Sequence, residues 1–122
     1  MLTPTLEDYL ETITILVKEK GKARIKDIGE YLKVKNPSVV SAISSLVENG
    51  YVRHERYSYV ELTKKGKATA EEIHKKHRTI VKFLINILKV DEITAREDAC
   101  KIEHIISHKT YKKIASAVEE NL

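Results

Sequence analysis

The period of this chain changes twice, and that restricts its fold more than any other feature. From Leu6 to Val47 apolar residues recur at three- and four-residue steps; from Tyr51 to Leu62 strand formers replace them; from Thr63 the helical step returns. Leu6, Tyr9, Leu10, Ile13, Leu16 and Val17 predict a helix over 5–20, capped by Thr5 and stopped by Gly21. Ile25, Ile28 and Leu32 predict a short helix over 23–32. Pro37 pushes its predecessor out of the α region and suits the first position of a third helix. That helix, capped by Asn36, runs to Glu48 and ends at Asn49-Gly50. Two short strands follow, with Val52, Val60 and Leu62 toward a core and a turn near Arg56 to Tyr59. A long helix from Thr63 to about Leu88 carries Ala70, Ile73, His77, Ile80, Val81, Leu84, Ile87 and Leu88 on one stripe, and Gly66 weakens its first turn. Val90-Asp91 breaks it. Thr94 caps a further helix to about Ser107, with Ala99, Ile102, Ile105 and Ile106 apolar, and a last helix covers about 111–119.

This order predicts a mainly α fold: a winged helix-turn-helix over 1–70, followed by a helical domain over 71–122. In a winged helix-turn-helix one helix enters the major groove, its partner braces it, and the ribbon lies along the backbone. The groove helix here begins Asn36-Pro37-Ser38, with Ser41 one turn on. These residues offer donors and acceptors and no acid that would repel phosphate. Lys26, Lys35, Arg53 and Arg56 flank it as backbone clamps. The charge distribution agrees. The net charge is +4, and residues 18–35 hold seven Lys and Arg against three acids, whereas residues 7–11 hold three acids and no base.

Composition removes several classes. No apolar run approaches the ~20 residues of a membrane span. The first residues lack a basic and then apolar leader, and one cysteine cannot form an internal disulfide, so a reducing cytoplasm is the expected home. There is no Gly-rich phosphate loop and no nucleophile motif, which argues against an enzyme with a small organic substrate.

Several metal-type donors recur at helical spacing. Asp8 and Glu11 share a face of the first helix. Cys100, Glu103 and His104 stand at i, i+3 and i+4 on a later one, and His77 lies on the long helix. Singly, each has a plainer reading: a hydrogen-bonded core histidine, a surface Glu-His pair, a small hydrophobic cysteine. Together they suit a five- or six-coordinate Mn(II) or Fe(II) better than a Cys-rich tetrahedral zinc site. Without an ion, three carboxylates brought close would raise one another's pKa.

The sequence resembles the short, manganese transport regulator branch of the diphtheria toxin repressor family across essentially its whole length. The resemblance rests on Glu7-Asp8-Tyr9-Leu10-Glu11-Thr12-Ile13, on Ala23-Arg24-Ile25-Lys26-Asp27-Ile28 leading to Pro37-Ser38-Val39, and on Leu62-Thr63-Lys64-Lys65-Gly66. It continues through Lys76-His77-Arg78 and Asp98-Ala99-Cys100-Lys101-Ile102-Glu103-His104. It implies metal ligation by Asp8, Glu11, His77, Cys100, Glu103 and His104. It also implies binding to double-stranded DNA and a homodimer held by the C-terminal helices, here through Ile102, Ile105, Ile106, Leu84 and Leu88. Two positions depart from the pattern. Cys100 stands where the short manganese-sensing members usually carry a carboxylate, and Asp8 where the iron-sensing branch carries Met. The site is thus a hybrid, and Cys100 could ligate through sulfur or through its carbonyl. Val81 and Arg96 replace donors of a second metal site found in the longer branch, so that site is expected to be missing, and the chain stops at Leu122 before that branch's SH3-like domain. The expected function is a metal-dependent repressor of metal-uptake genes. The alternatives are a constitutive winged-helix regulator that ignores metal and a winged helix that binds only protein.

Overall fold

A computed structural model of the protein describes residues 2–55 and 58–121. The chain runs α1 (Pro4–Lys20), α2 (Ile25–Leu32), α3 (Asn36–Glu48), β1 (Val52–His54), β2 (Val60–Leu62), α4 (Lys64–Lys82), a π-helical turn (Phe83–Ile87), α5 (Glu92–Ile105) and α6 (His108–Glu120). It divides into two compact units, Met1–Glu71 and Glu72–Leu122. No helix among the described residues is long and apolar enough to cross a membrane.

The first unit is a helix-turn-helix with a wing. Leu10, Ile13, Ile28, Ile43 and Leu46, one stripe from each of α1, α2 and α3, are almost wholly buried against Val52 and Val60 of the ribbon. The ribbon is antiparallel, with Val52 opposite Leu62 and His54 opposite Val60. Two expectations shift here. Thr3, not Thr5, caps α1: its hydroxyl accepts from Leu6 N at 3.1 Å, which leaves Pro4 in the first turn, where a missing N–H costs nothing. The second helix starts at Ile25, because Ala23 pairs with Val60 instead, and Val60 N donates to Ala23 O at 2.7 Å. Arg56 and Tyr57, in the expected turn, lie outside the described residues. At the start of α4 the Thr63 hydroxyl accepts from Gly66 N at 3.0 Å and donates to the carbonyls of the β1 approach.

In the second unit Ile80, Val81, Leu84, Ala95 and Ala99 form the core, with Phe83, Ile102, Ile106 and Tyr111 packed on it. The long helix does not stay α to Leu88. Its last turn, Phe83–Ile87, is π-helical, and the chain then reverses through Lys89 at φ +61°. Asp91, not Thr94, caps α5, since its carboxylate accepts from Thr94 N at 2.9 Å. Those bonds hold the Asp91 carboxyl below its ordinary range. α5 ends at Ile105, and Ile105 is 79% exposed; Leu88 is also exposed. α6 starts earlier than expected, at His108, because Ser107 caps it by accepting from Thr110 N at 3.2 Å. We expect Ser107→Ala to lower unfolding free energy by about 1 kcal/mol, read from the urea midpoint at constant slope.

Candidate metal centre and nucleic-acid interface

The second unit delivers a carboxylate to its interior by simple spacing. Ala95, Ala99 and Glu103 stand four residues apart on the buried face of α5. The apolar stripe therefore carries Glu103 inward, where it is 2% exposed. His77, on α4, meets it: His77 Nδ1 lies 2.8 Å from Glu103 Oε2 and donates to it in the tautomer protonated there. His104 Nε2 lies 3.5 Å from Glu103 Oε1. Cys100, one turn earlier on α5 and exposed, places Sγ 4.0 Å from His77 Nδ1. One donor atom from each of His77, Cys100 and Glu103 lies within 4.8 Å of the other two.

The electrostatics of this group favour a cation. Burial first, then the positive charges of His74, Arg96 and His104, holds the His77 imidazole below the usual histidine range. The Glu103 carboxylate accepts from the His77 ring in the tautomer protonated at Nδ1, and a carboxylate taken out of water is stabilised by opposite charge. Imidazole, carboxylate and thiol together fit a mid-series divalent transition metal. In the first unit, Asp8 and Glu11 lie on one face of α1, Asp8 exposed and Glu11 half-buried. Val81 is buried in the second core, and Arg96 pairs with Glu92 at 3.1 Å.

The α3 face is built for contact without charge. Asn36, Pro37, Ser38 and Ser41 are all exposed, as are Val40 and Ser44. Asn36 is the first helical residue and not the cap; Lys35 takes the cap position with no side-chain bond, because the helix starts one residue earlier than the Pro37 rule suggests. Lys26 and Lys35 are exposed. Arg53 pairs with Glu61 across the ribbon at 3.6 Å, both partners largely in solvent, so the pair holds it weakly. Arg56 lies outside the described residues.

One feature of this unit escaped the sequence reading. Lys22 Nζ and Arg24 Nη2 both donate to the Tyr59 hydroxyl, at 2.9 and 3.3 Å, and both cations sit over its ring. The Lys22 bond, then the Arg24 bond, holds that hydroxyl below the ordinary phenol range. The signal was the alternation Lys22-Ala23-Arg24. With Ala23 bridged and buried, its two neighbours share the opposite side.

Comparison with known proteins bears on both units. Residues 1–60 match the family described as iron dependent repressor, N-terminal DNA binding domain, and residues 63–121 match its metal binding and dimerisation domain. An uncharacterised HTH-type transcriptional regulator of Methanocaldococcus jannaschii is 35% identical over 98% of this chain and 96% of its own length. The HTH-type transcriptional regulator MntR of Bacillus velezensis is 37% identical over 98% of this chain and 83% of its own. Among solved structures, the manganese regulator SloR is 30% identical with a TM-score of 0.79; the alignment covers 97% of this chain but only 55% of that one.

Proposed function

Because the chain belongs to the iron-dependent repressor family, we propose that it is a metal-dependent transcriptional repressor, not an enzyme, acting as a homodimer on double-stranded DNA. In this reading residues 1–70 bind DNA and residues 71–122 bind metal and dimerise. Its effector is Mn(II) or Fe(II), held by Asp8, Glu11, His77, Cys100, Glu103 and His104. Lys26, Lys35, Asn36, Pro37, Ser38, Ser41, Arg53 and Arg56 contact DNA, the targets are metal-uptake genes, and the protein works in the cytoplasm. The observation that carries the proposal is the buried Glu103 carboxylate at 2.8 Å from the His77 imidazole, with a thiol in reach.

The residues divide the work. Glu103 supplies a desolvated negative charge, and His77 orients it. Cys100 adds a soft donor, and Asp8 and Glu11 add hard ones from the DNA-binding domain. A bound divalent ion would supply the positive charge that lets these carboxylates converge. Ligands drawn from both domains then couple metal occupancy to DNA affinity, a coupling of the usual ~5- to 150-fold size.

The test is an anoxic titration of chelator-stripped protein with Mn(II), Fe(II), Co(II) and Zn(II), with labelled promoter DNA of a metal-transporter gene present. Mn(II) or Fe(II) is expected to raise DNA affinity by a factor in that range. Equal affinity with and without any metal would replace this reading with a constitutive regulator.

A further inference from the structure

The DNA-facing unit carries a second, wing-side feature whose chemistry is one-sided. A cleft of about 720 Å³ is lined by Arg24, Lys26, Asn36, His54, Ser58 and Tyr59, together with Ile25. Among the described residues of that lining every polar one can donate a hydrogen bond, and none is a carboxylic acid. Tyr59 also borders a smaller cleft of about 400 Å³ that includes Lys22, Arg53 and Lys67 together with Glu61, the partner of Arg53.

The cations at Tyr59 are held in place. Lys22 and Arg24 approach the ring centroid to 4.5 and 5.0 Å while both bonding its hydroxyl. Like charges gathered on one ring repel; the ring face and the hydroxyl oxygen offset only part of that cost. The backbone beneath them is fixed, because Ala23 and Val60, next in sequence to all three residues, are bridged and buried. Within the larger cleft, an ordered group of cations and donors with no acid among the described lining residues is complementary to an oxyanion. Asn36, at the start of α3, borders the same cleft, so a strand contacting α3 continues past it.

Resting on the DNA-binding reading above, we propose that this cleft receives a backbone phosphate of the duplex engaged by α3. Arg24 and Lys26 make the contact, and Tyr59 is a positioning residue that aims the Arg24 guanidinium. Such contacts set register and affinity but carry no base information.

The probe is a labelled duplex selected from a random-sequence library by the full-length wild-type protein in Mn(II), with affinity measured across a range of salt concentrations. Arg24→Ala is expected to reduce the slope of log affinity against log salt by about 1, and to weaken binding uniformly across base-substituted duplexes. Arg24→Lys should retain the slope. Tyr59→Phe keeps the ring and removes the hydroxyl. It should weaken binding about three- to tenfold in the wild-type background and have no effect in the Lys22→Ala/Arg24→Ala background. Circular dichroism checks that each variant folds. Wild-type salt slope in Arg24→Ala overturns the phosphate contact while leaving DNA binding intact. An undiminished Tyr59→Phe effect in the double-alanine background overturns the positioning role. A wild-type protein that selects no duplex at all overturns both this proposal and the DNA-binding reading.

Discussion

Glu103→Ala should weaken Mn(II) binding by about a hundredfold or more, measured by competition with a chromogenic chelator. Hydrogen-bonded partners of metal ligands alone are worth about 10- to 100-fold, and Glu103 offers a donor atom directly. The side chain is 1% exposed, so water does not easily replace it, and both oxygens face imidazoles. Alanine also opens a cavity and strands His77 Nδ1, so some destabilisation is expected alongside. Glu103→Gln separates the two effects. It keeps the shape and an acceptor for His77 while removing the charge, so the fold persists by circular dichroism and metal affinity still falls. Wild-type affinity in both variants would remove Glu103 from the metal site.

Gly66→Ala is the second large effect, and two rules give it opposite signs. Inside a helix, Gly to Ala ordinarily gains about 0.5–1 kcal/mol. Here a Cβ on Gly66 would fall 1.9 Å from the Tyr51 carbonyl oxygen and 3.0 Å from its carbon. That oxygen cannot simply move, since it accepts from both Thr63 N and the Thr63 hydroxyl at 3.0 Å. Overpacking of this kind costs about 1–3 kcal/mol or more and outweighs the propensity gain. At the upper end of that range we expect the melting temperature to fall by about 10 °C or more in calorimetry. A melting temperature at or above wild type would show that the α4 start relaxes away from β1.

These two residues also mark what the sequence discloses and what it hides. Gly66 looks like a mild defect in a helical stripe, because its neighbour Tyr51 is distant in sequence and only the folded chain brings the two backbones together. Glu103 was visible as a donor from the spacing Cys100, Glu103, His104, but its burial follows from the small residues Ala95 and Ala99, and its partner His77 comes from another helix. The helices themselves were legible, because apolar stripes such as Leu10, Ile13 and Leu16 reflect burial directly. Their starts were less so. Thr3 and Thr5, or Asp91 and Thr94, are chemically similar caps two or three residues apart, and backbone geometry chooses between them. The π-helical turn at Phe83–Ile87 leaves the stripe apolar and gives no compositional sign. Lys22, Arg24 and Tyr59 appeared as separate members of a basic stretch and a ribbon, and the Ala23–Val60 bridge makes them one group.

That bridge also bears on the order of assembly. A two-stranded hairpin is marginal by itself, and the β1–β2 ribbon gains its extra pairing from a residue that precedes α2. Closing so long a loop loses chain entropy before any contact repays it, unless α1, α2 and α3 have already drawn Ala23 into place. We therefore expect the wing to form late on the folding path, with a φ-value near zero for Val60→Ala in folding and unfolding kinetics. Changes in it act on the lifetime of the folded unit more than on the rate at which that unit forms.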